Sequence, residues 1–267
     1  MISIEQKGFI LKKRVLFFVL IRSFFIDVLW NYQKFQNIGF LYMILPVIKR
    51  LYPNKEKRAL AMKRHIKYFR THPYLATSIA GVVTNMEEKK SNVTNGNFED
   101  IDRIKFNMMG PFAAIGDSFF YQALKPFLAI IAISFMAITS DISIMIFASI
   151  FFLIFFNIPH LFIRIAGLIE GYRKGFEAIR ELKQLDIQSL VTKIRFIAVI
   201  FLGCFIAVVF PASKFEFMGF KILTNFLLLG MTFLYAVLLS LRVSTTVLFA
   251  ITLIFCIILS YLGINIL

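Results

Sequence analysis

Over the first hundred residues the apolar positions come in short bursts broken by charge. VLFFVLIRSFFIDVLW (15–30) carries Arg22 and Asp27 within it, and FLYMILPVI (40–48) is too short to cross. A bilayer core of ~30 Å needs a longer run, so both stretches predict amphipathic or interfacial helices. A basic, helix-forming stretch follows, NKEKRALAMKRHIKYF (54–69). Thr71-His72-Pro73 then opens YLATSIAGVVTNM (74–86), which closes on Glu87-Glu88. Proline suits a first helical position, where its missing N–H is no loss. Two readings of this weakly polar segment stay open: a re-entrant or half-membrane helix packed in protein, or a buried helix of a cytoplasmic lobe. KKSNVTNGNFEDID (89–102) is polar and turn-rich, a loop by composition.

Beyond about residue 105 the texture changes to long apolar runs. Spans are predicted at 112–138, 142–163, 196–210, 222–241 and 243–263. Between them, residues 164–195 form a hydrophilic connection carrying Arg164, Arg173, Lys174, Arg180, Lys183, Lys193 and Arg195, whereas 211–221 holds only Lys214 and Lys221. The positive-inside bias then puts residues 1–105 and 164–195 in the cytoplasm and the 139–141 and 211–221 turns outside. The expectation is an all-α, polytopic integral membrane protein in two parts. Residues 1–105 are an amphipathic basic region with a possible re-entrant helix. Residues 106–267 are a transmembrane region of about five apolar spans.

Composition supports that class. Of 267 residues, 59% are hydrophobic and 17% charged, and the mean hydropathy is +0.78. The net charge of +15 comes from 30 Lys and Arg against 15 acids. With no nucleic-acid fold signature interleaved, the excess reads as topology and contact with anionic lipid, and no nucleic-acid partner is expected. Cys204 and Cys256 lie in apolar runs and read as small hydrophobes. Lys12-Lys13-Arg14 precedes LFFVLI, but Arg22 and Asp27 interrupt that run and no small-residue cleavage site follows, so a cleavable signal peptide is not expected. The spacing of His65, His72 and His160 makes no metal set. His160, after Pro159, is expected at the headgroup level. No nucleotide-binding loop, hydrolase elbow or Cys-His pair occurs, so neither an enzyme with its own chemistry nor a cofactor is expected.

The polar groups that stand out are at membrane depth. GPFAAIGDS (110–118) sets Asp117 and Ser118 at the mouth of a span, and Glu87 with Glu88 closes the segment before it. Intramembrane acids point to solute or ion pathways. For Asp117 the competing reading is an ion pair with Lys125, eight residues on and ~12 Å along the helix, with Tyr121 between them on the same face. Gly110, Pro111 and Gly116 predict a helix break that exposes backbone groups to a cavity. Carboxylates and free backbone groups hydrogen-bond hydroxyls, and Phe119 or Tyr121 can stack on a pyranose ring, so an uncharged sugar suits the site. The candidate binding residues are Gly116, Asp117, Ser118, Thr71, His72 and Glu87.

Four stretches together resemble the IID membrane component of the mannose/fructose/sorbose class of the bacterial sugar phosphotransferase system. They are RSFFIDVLWNYQKFQNIGFLYMILPVIKRLY (22–52), FRTHPYLATSIAGVVTNMEE (69–88), KFNMMGPFAAIGDSFF (105–120) and, more weakly, GYRKG (171–175). They occupy the first two-thirds of the chain in the family's order. The resemblance implies a multi-pass inner-membrane permease subunit in a hetero-oligomer with a IIC subunit. The pair moves a hexose that separate IIA and IIB phosphocarrier proteins phosphorylate on their own histidines. The family usually reads Asn where this chain has Arg70, and Leu and Gly where it has Phe112 and Ala114. Little of the usual C-terminal pattern is seen past about 195. A non-transporting structural or regulatory homologue with the same fold and partner surface is the alternative reading.

Overall fold

The computed structural model describes residues 11–91, 98–138, 141–178, 186–209, 230, 234, 237–238, 241 and 243–261. The turn expected at 211–221 and nearly all of the span expected at 222–241 lie outside these residues. Among the described residues nine α-helices follow one another. They are α1 (Lys13–Ser23), α2 (Asn37–Leu51), α3 (Lys55–His65), α4 (Ala76–Ser91), α5 (Glu99–Gly116), α6 (Lys125–Ile138), α7 (Ile142–Lys174), α8 (Ile187–Val209) and α9 (Thr245–Tyr261). A π-helix, Asp117–Leu124, joins α5 to α6. Among the described residues the only sheet-like pairings are the isolated bridges Asn31–Phe35 and Phe35–Phe69. The chain forms two compact units, Met1–Phe201 and Leu202–Leu267. The texture change near residue 105 falls inside α5.

Local chemistry fixes several ends. Asn54 caps α3, its side-chain oxygen accepting from the amides of Glu56 (2.8 Å) and Lys57 (3.2 Å). Asp141 caps α7 through the Ser143 amide at 2.8 Å. α7 stops at Gly175, whose φ of 59° suits a residue without a Cβ. Among the described residues two helices, spanning 99–137 and 142–174, are long and apolar enough to cross a membrane. The helix expected to end near 163 therefore runs eleven residues further, to Lys174. It carries Arg164 into the bundle, where Ser23 and aromatic rings satisfy it, and the hydrophilic connection begins later than the charge pattern suggested.

α4 is the centre of the first unit. Its small residues let helices approach on every side, and Ala76, Thr77, Ser78, Ile79, Ala80, Val82 and Val83 are all buried. Against α7 the contact is backbone to backbone. A Cβ on Gly81 would lie 2.5 Å from the Leu168 carbonyl oxygen, and one on Gly171 would lie 2.6 Å from that of Ser78. Such small-residue seams give close van der Waals packing where lipid supplies no hydrophobic drive.

The chain direction of each helix follows from paired contacts. Tyr74, just before α4, packs on His160 near the middle of α7, ring centroids 4.3 Å apart. Three turns later the Asn85 amide donates to the Tyr172 carbonyl at 2.6 Å, and the Tyr172 hydroxyl donates to Glu88 at 2.6 Å. α4 therefore runs parallel to the second half of α7, starting level with its middle and ending at its basic end. α1 runs the other way. The Leu11 amide donates to Glu88 at 2.9 Å, while Ser23 at the far end of α1 meets Arg164. α2 returns from Asn37, whose amide donates to the Ile66 carbonyl, to Tyr52, which reaches Glu87. So α1 and α2 form a hairpin whose tip, residues 24–36, reaches only the level of the middle of α7.

Candidate functional site

Three further segments meet at that level: the Thr71–Pro73 turn, the start of the π-helix, and His160 with Arg164. The His72 ring lies against Gly116, where an added Cβ would stand 2.3 Å from its Cγ. It stacks on Phe120 (5.3 Å, 15°) and touches Tyr121 (4.7 Å) and Tyr74 (4.8 Å). The need for Gly116 is thus steric: only a residue without a side chain admits the imidazole. The Tyr74 amide donates to His72 Nδ1 at 3.3 Å, so Nε2 carries the proton, and that buried N–H has no partner among the described residues. Thr71 is fixed on both sides. Its amide donates to Gln36 Oε1 at 2.9 Å and its hydroxyl to the Met109 carbonyl at 3.3 Å.

The helix expected to break near Gly116 does not break. It passes Gly110 and Pro111 and widens into eight residues of π-helix from Asp117. Such segments are rare, commonly a single turn, and frequent at functional sites, because the wider coil redirects side chains that a regular helix would stack in line. Asp117 is exposed, Ser118 half-buried and Tyr121 exposed. Among the described residues no ion pair joins Asp117 to Lys125, the alternative raised by their spacing.

His160 is not at the end of a span. It is 7% exposed, fourteen residues before the last residue of α7, held between Tyr74 and Phe24. Arg164, one turn on, is 4% exposed. Its Nη1 donates to both the carbonyl and the hydroxyl of Ser23 at 2.8 Å, closing the C-terminal end of α1 with a cation, where the helix dipole favours one. Its guanidinium also lies over the rings of Phe24 (4.7 Å) and Tyr74 (5.2 Å). Arg70 is turned elsewhere, over Phe35 at 4.6 Å. Tyr74, His160 and Arg164 were not among the sequence candidates. The available signal was a basic residue one helical turn beyond a histidine, and it read as loop charge.

Glu87 is not brought to this group. It lies eleven residues into α4, ~16 Å from its start, at the basic end. Its carboxylate accepts from the Tyr52 hydroxyl (2.5 Å), Arg64 Nε (2.8 Å) and His65 Nε2 (2.7 Å). Burial alone would raise the Glu87 carboxyl, but the His65 hydrogen bond and the Arg64 charge outweigh it and hold the group below its usual 4.5. Burial holds His65 below its usual 6.5, and its Nδ1 has no partner among the described residues to accept an added N–H. Burial and the Glu87 carboxylate push the Tyr52 hydroxyl well above 10.0.

Both depressed groups make the fold acid-sensitive. The unfolded chain protonates His65 near 6.5 and Glu87 near 4.5, while the folded chain resists both. Their stabilisation is complete above pH 6.5 and is lost as pH falls towards each depressed value. Thermal unfolding in mild detergent should show a midpoint that drops between pH 7 and 5, and His65→Gln should flatten the first part of that drop. Equal slopes in both proteins would contradict the assignment.

A cavity of about 440 Å³ lies between α4, α5, α7 and the start of α8. Its walls, among them Leu75, Phe112, Phe120 and Phe162, are almost wholly hydrocarbon, and Asp117, Ser118 and Tyr121 are not part of them. It offers a sugar few hydrogen-bond partners, so the polar face of the π-helix is the candidate site.

Residues 10–265 match the family model described as the PTS system mannose/fructose/sorbose family IID component. The chain belongs to this family. The match extends to the C-terminal third, where the quoted motifs were silent. The IID-family chain is 32% identical over 197 residues to the fructose permease IID component of Bacillus subtilis (strain 168), covering 74% of this chain and 70% of that one. It is 32% identical over 173 residues to the mannose-specific EIID component of Escherichia coli (strain K12), covering 64% of this chain but 59% of the relative. Among solved structures, one described as a membrane protein superposes with a TM-score of 0.76 at 25% identity, covering 96% of this chain and 98% of its own. The cryo-EM structure of the mannose transporter ManYZ with microcin E492 superposes with a TM-score of 0.58 at 24% identity, covering 95% and 97%, and supports the fold. The IID-family chain is a membrane protein of the sugar phosphotransferase system.

Proposed function

We propose that this chain is the IID-type permease subunit which, with a IIC subunit, forms a hexose path across the bacterial inner membrane. Separate IIA and IIB proteins phosphorylate the sugar, and the IID chain supplies no phosphorylation site of its own. Names of relatives place mannose, fructose and sorbose in this family. The path runs along the polar side of the π-helix, with Thr71, His72, Gly116, Asp117 and Ser118 at its deepest point. The basic end of the bundle, with Lys89, Lys90, Arg173 and Lys174, faces the cytoplasm.

One observation carries this reading. Two stretches 45 residues apart, the Thr71–Pro73 turn and Gly116–Ser118, meet level with the middle of an apolar helix and leave a carboxylate there with no ion-pair partner among the described residues. An unpaired acid at that depth is costly unless it faces water or a polar solute. Its test is uptake and phosphorylation of a hexose panel in cells supplied with the IIC, IIA and IIB partners. At least one hexose should be taken up and phosphorylated, and only when this chain is present. Stable assembly with IIC but no uptake of any hexose would overturn the proposal and favour a non-transporting homologue.

A further inference from the structure

Asp27 lies in the tip of the α1–α2 hairpin, four residues beyond the end of α1 and exposed. Its surroundings are unusually fixed for an exposed carboxylate. The Gln36 side chain has only one possible orientation. Its Oε1 must accept the Thr71 amide at 2.9 Å, so its Nε2 must donate, and it donates to Asp27 Oδ1 at 2.7 Å. The amide therefore ties the hairpin tip to the Thr-His-Pro turn and holds one Asp27 oxygen as acceptor. Oδ2 takes no hydrogen bond from any described residue, and no Lys or Arg forms an ion pair with Asp27 among them.

The position matters as much as the rigidity. Ser23 sits on Arg164 and Thr71 adjoins His72, so Asp27 is level with the middle of α7. Asp27 and Asp117, ninety residues apart in sequence, both lie within electrostatic reach of the Tyr121 hydroxyl. Two exposed carboxylates at that level, neither in an ion pair among the described residues, need water or a polar solute beside them. Close to both lies the 1%-exposed His72 imidazole, which touches Tyr121 and whose Nε2–H has no partner among the described residues. Acceptors on two sides, a buried N–H without an acceptor and the exposed ring of Tyr121 match the donors, acceptors and apolar face of a pyranose. A rigid amide behind Asp27 supplies the support that holds a binding group in place.

We propose that Asp27 is a second solute-binding carboxylate of the path, accepting from a hexose hydroxyl on the side opposite Asp117. The inference rests on the permease reading. It adds the α1–α2 hairpin tip to the site and makes Asp27 a determinant of which hexose hydroxyl pattern is preferred. Gln36 is the positioning residue behind it.

The test uses the full chain co-expressed with IIC and compares the wild type, Asp27→Asn, Asp117→Asn and the double variant. Asp27→Asn keeps the shape and an acceptor for Gln36, so membrane level and IIC co-purification should be unchanged. Loss of a charge-assisted hydrogen bond should raise KM about tenfold and change the ratio of KM values across the hexose panel. The double variant should lose less than the product of the single losses, because both groups bind one molecule. Gln36→Ala should raise KM in the same direction with the same altered preference. An Asp27→Asn variant with normal KM and unchanged preference, beside an impaired Asp117→Asn, would overturn the Asp27 role alone. Loss of IIC co-purification in Asp27→Asn would also overturn it, by making the residue structural. If the wild type assembles but takes up no hexose, the permease reading falls and this inference falls with it.

Discussion

Replacing Glu87 with alanine will unfold or strip the basic end of the bundle, whether or not sugar is present. The carboxylate is 1% exposed and is the common partner of a tyrosine hydroxyl, a guanidinium and a fully buried imidazole drawn from α2's C-cap and α3. Alanine leaves Arg64 without a counter-charge and Tyr52 and His65 without an acceptor. Removing one member of a buried ion pair costs ~3–5 kcal/mol. The marginal stability of folded domains makes such a loss decisive. Glu87→Gln should be milder, because it keeps the volume and one oxygen acceptor but loses the charge that Arg64 needs. The measurement is detergent-solubilised yield, monodispersity and unfolding midpoint, with uptake alongside. Both variants should lose stability, alanine the more. If Glu87→Gln kept full stability and lost only uptake, Glu87 would act on the solute and the structural role would be wrong.

The contrast between Glu87 and Asp117 shows what the sequence made legible and what it withheld. Both are acids beside apolar stretches, and one-dimensional pattern treats them alike. The difference lies in partners far away in the chain. Glu87 meets residues 22 to 35 positions earlier, while Asp117 has no ion-pair partner among the described residues. Helix period, caps and hydropathy are local, so the α2, α3 and α9 segments and the all-helical class were readable from the pattern. A helix after Pro73 was legible too, but α4 starts at Ala76, so the proline lies in the turn before it and not at the first helical position. The path of α1 and α2 was not readable. Their hairpin depends on Arg164 closing α1 from 141 residues away. Likewise Gly116 and Pro111 suggested a broken helix, since both are poor helix residues. Tertiary packing decided otherwise: Gly116 is there to admit the His72 ring, and the helix continues past it as a π-helix.

Changing Asp117 to asparagine should separate transport from assembly. The side chain is exposed, sits at the first position of the π-helix and has no ion-pair partner among the described residues. Were it a member of a structural pair with Lys125, its removal would strand a cation and cost stability; but Lys125 is itself exposed, and a solvent-facing pair of that kind contributes only ~0–1 kcal/mol. Asparagine keeps the volume and one acceptor oxygen, so the π-helix, the His72 stacking and the IIC contact should persist. What it removes is the charge of the acceptor offered to a sugar hydroxyl. A hydrogen bond to a charged group contributes ~1.5–3 kcal/mol, which corresponds to roughly a tenfold to hundredfold weaker binding. The measurement is therefore paired: membrane level and IIC co-purification on one side, hexose uptake at several concentrations on the other. Uptake should fall at low sugar and recover in part at high sugar, with assembly intact. Normal uptake across the range would remove Asp117 from the path. Lost assembly would make it a structural residue. Loss of uptake alone would identify the purpose of an aspartate that the fold does not use: it meets a polar solute level with the middle of α7.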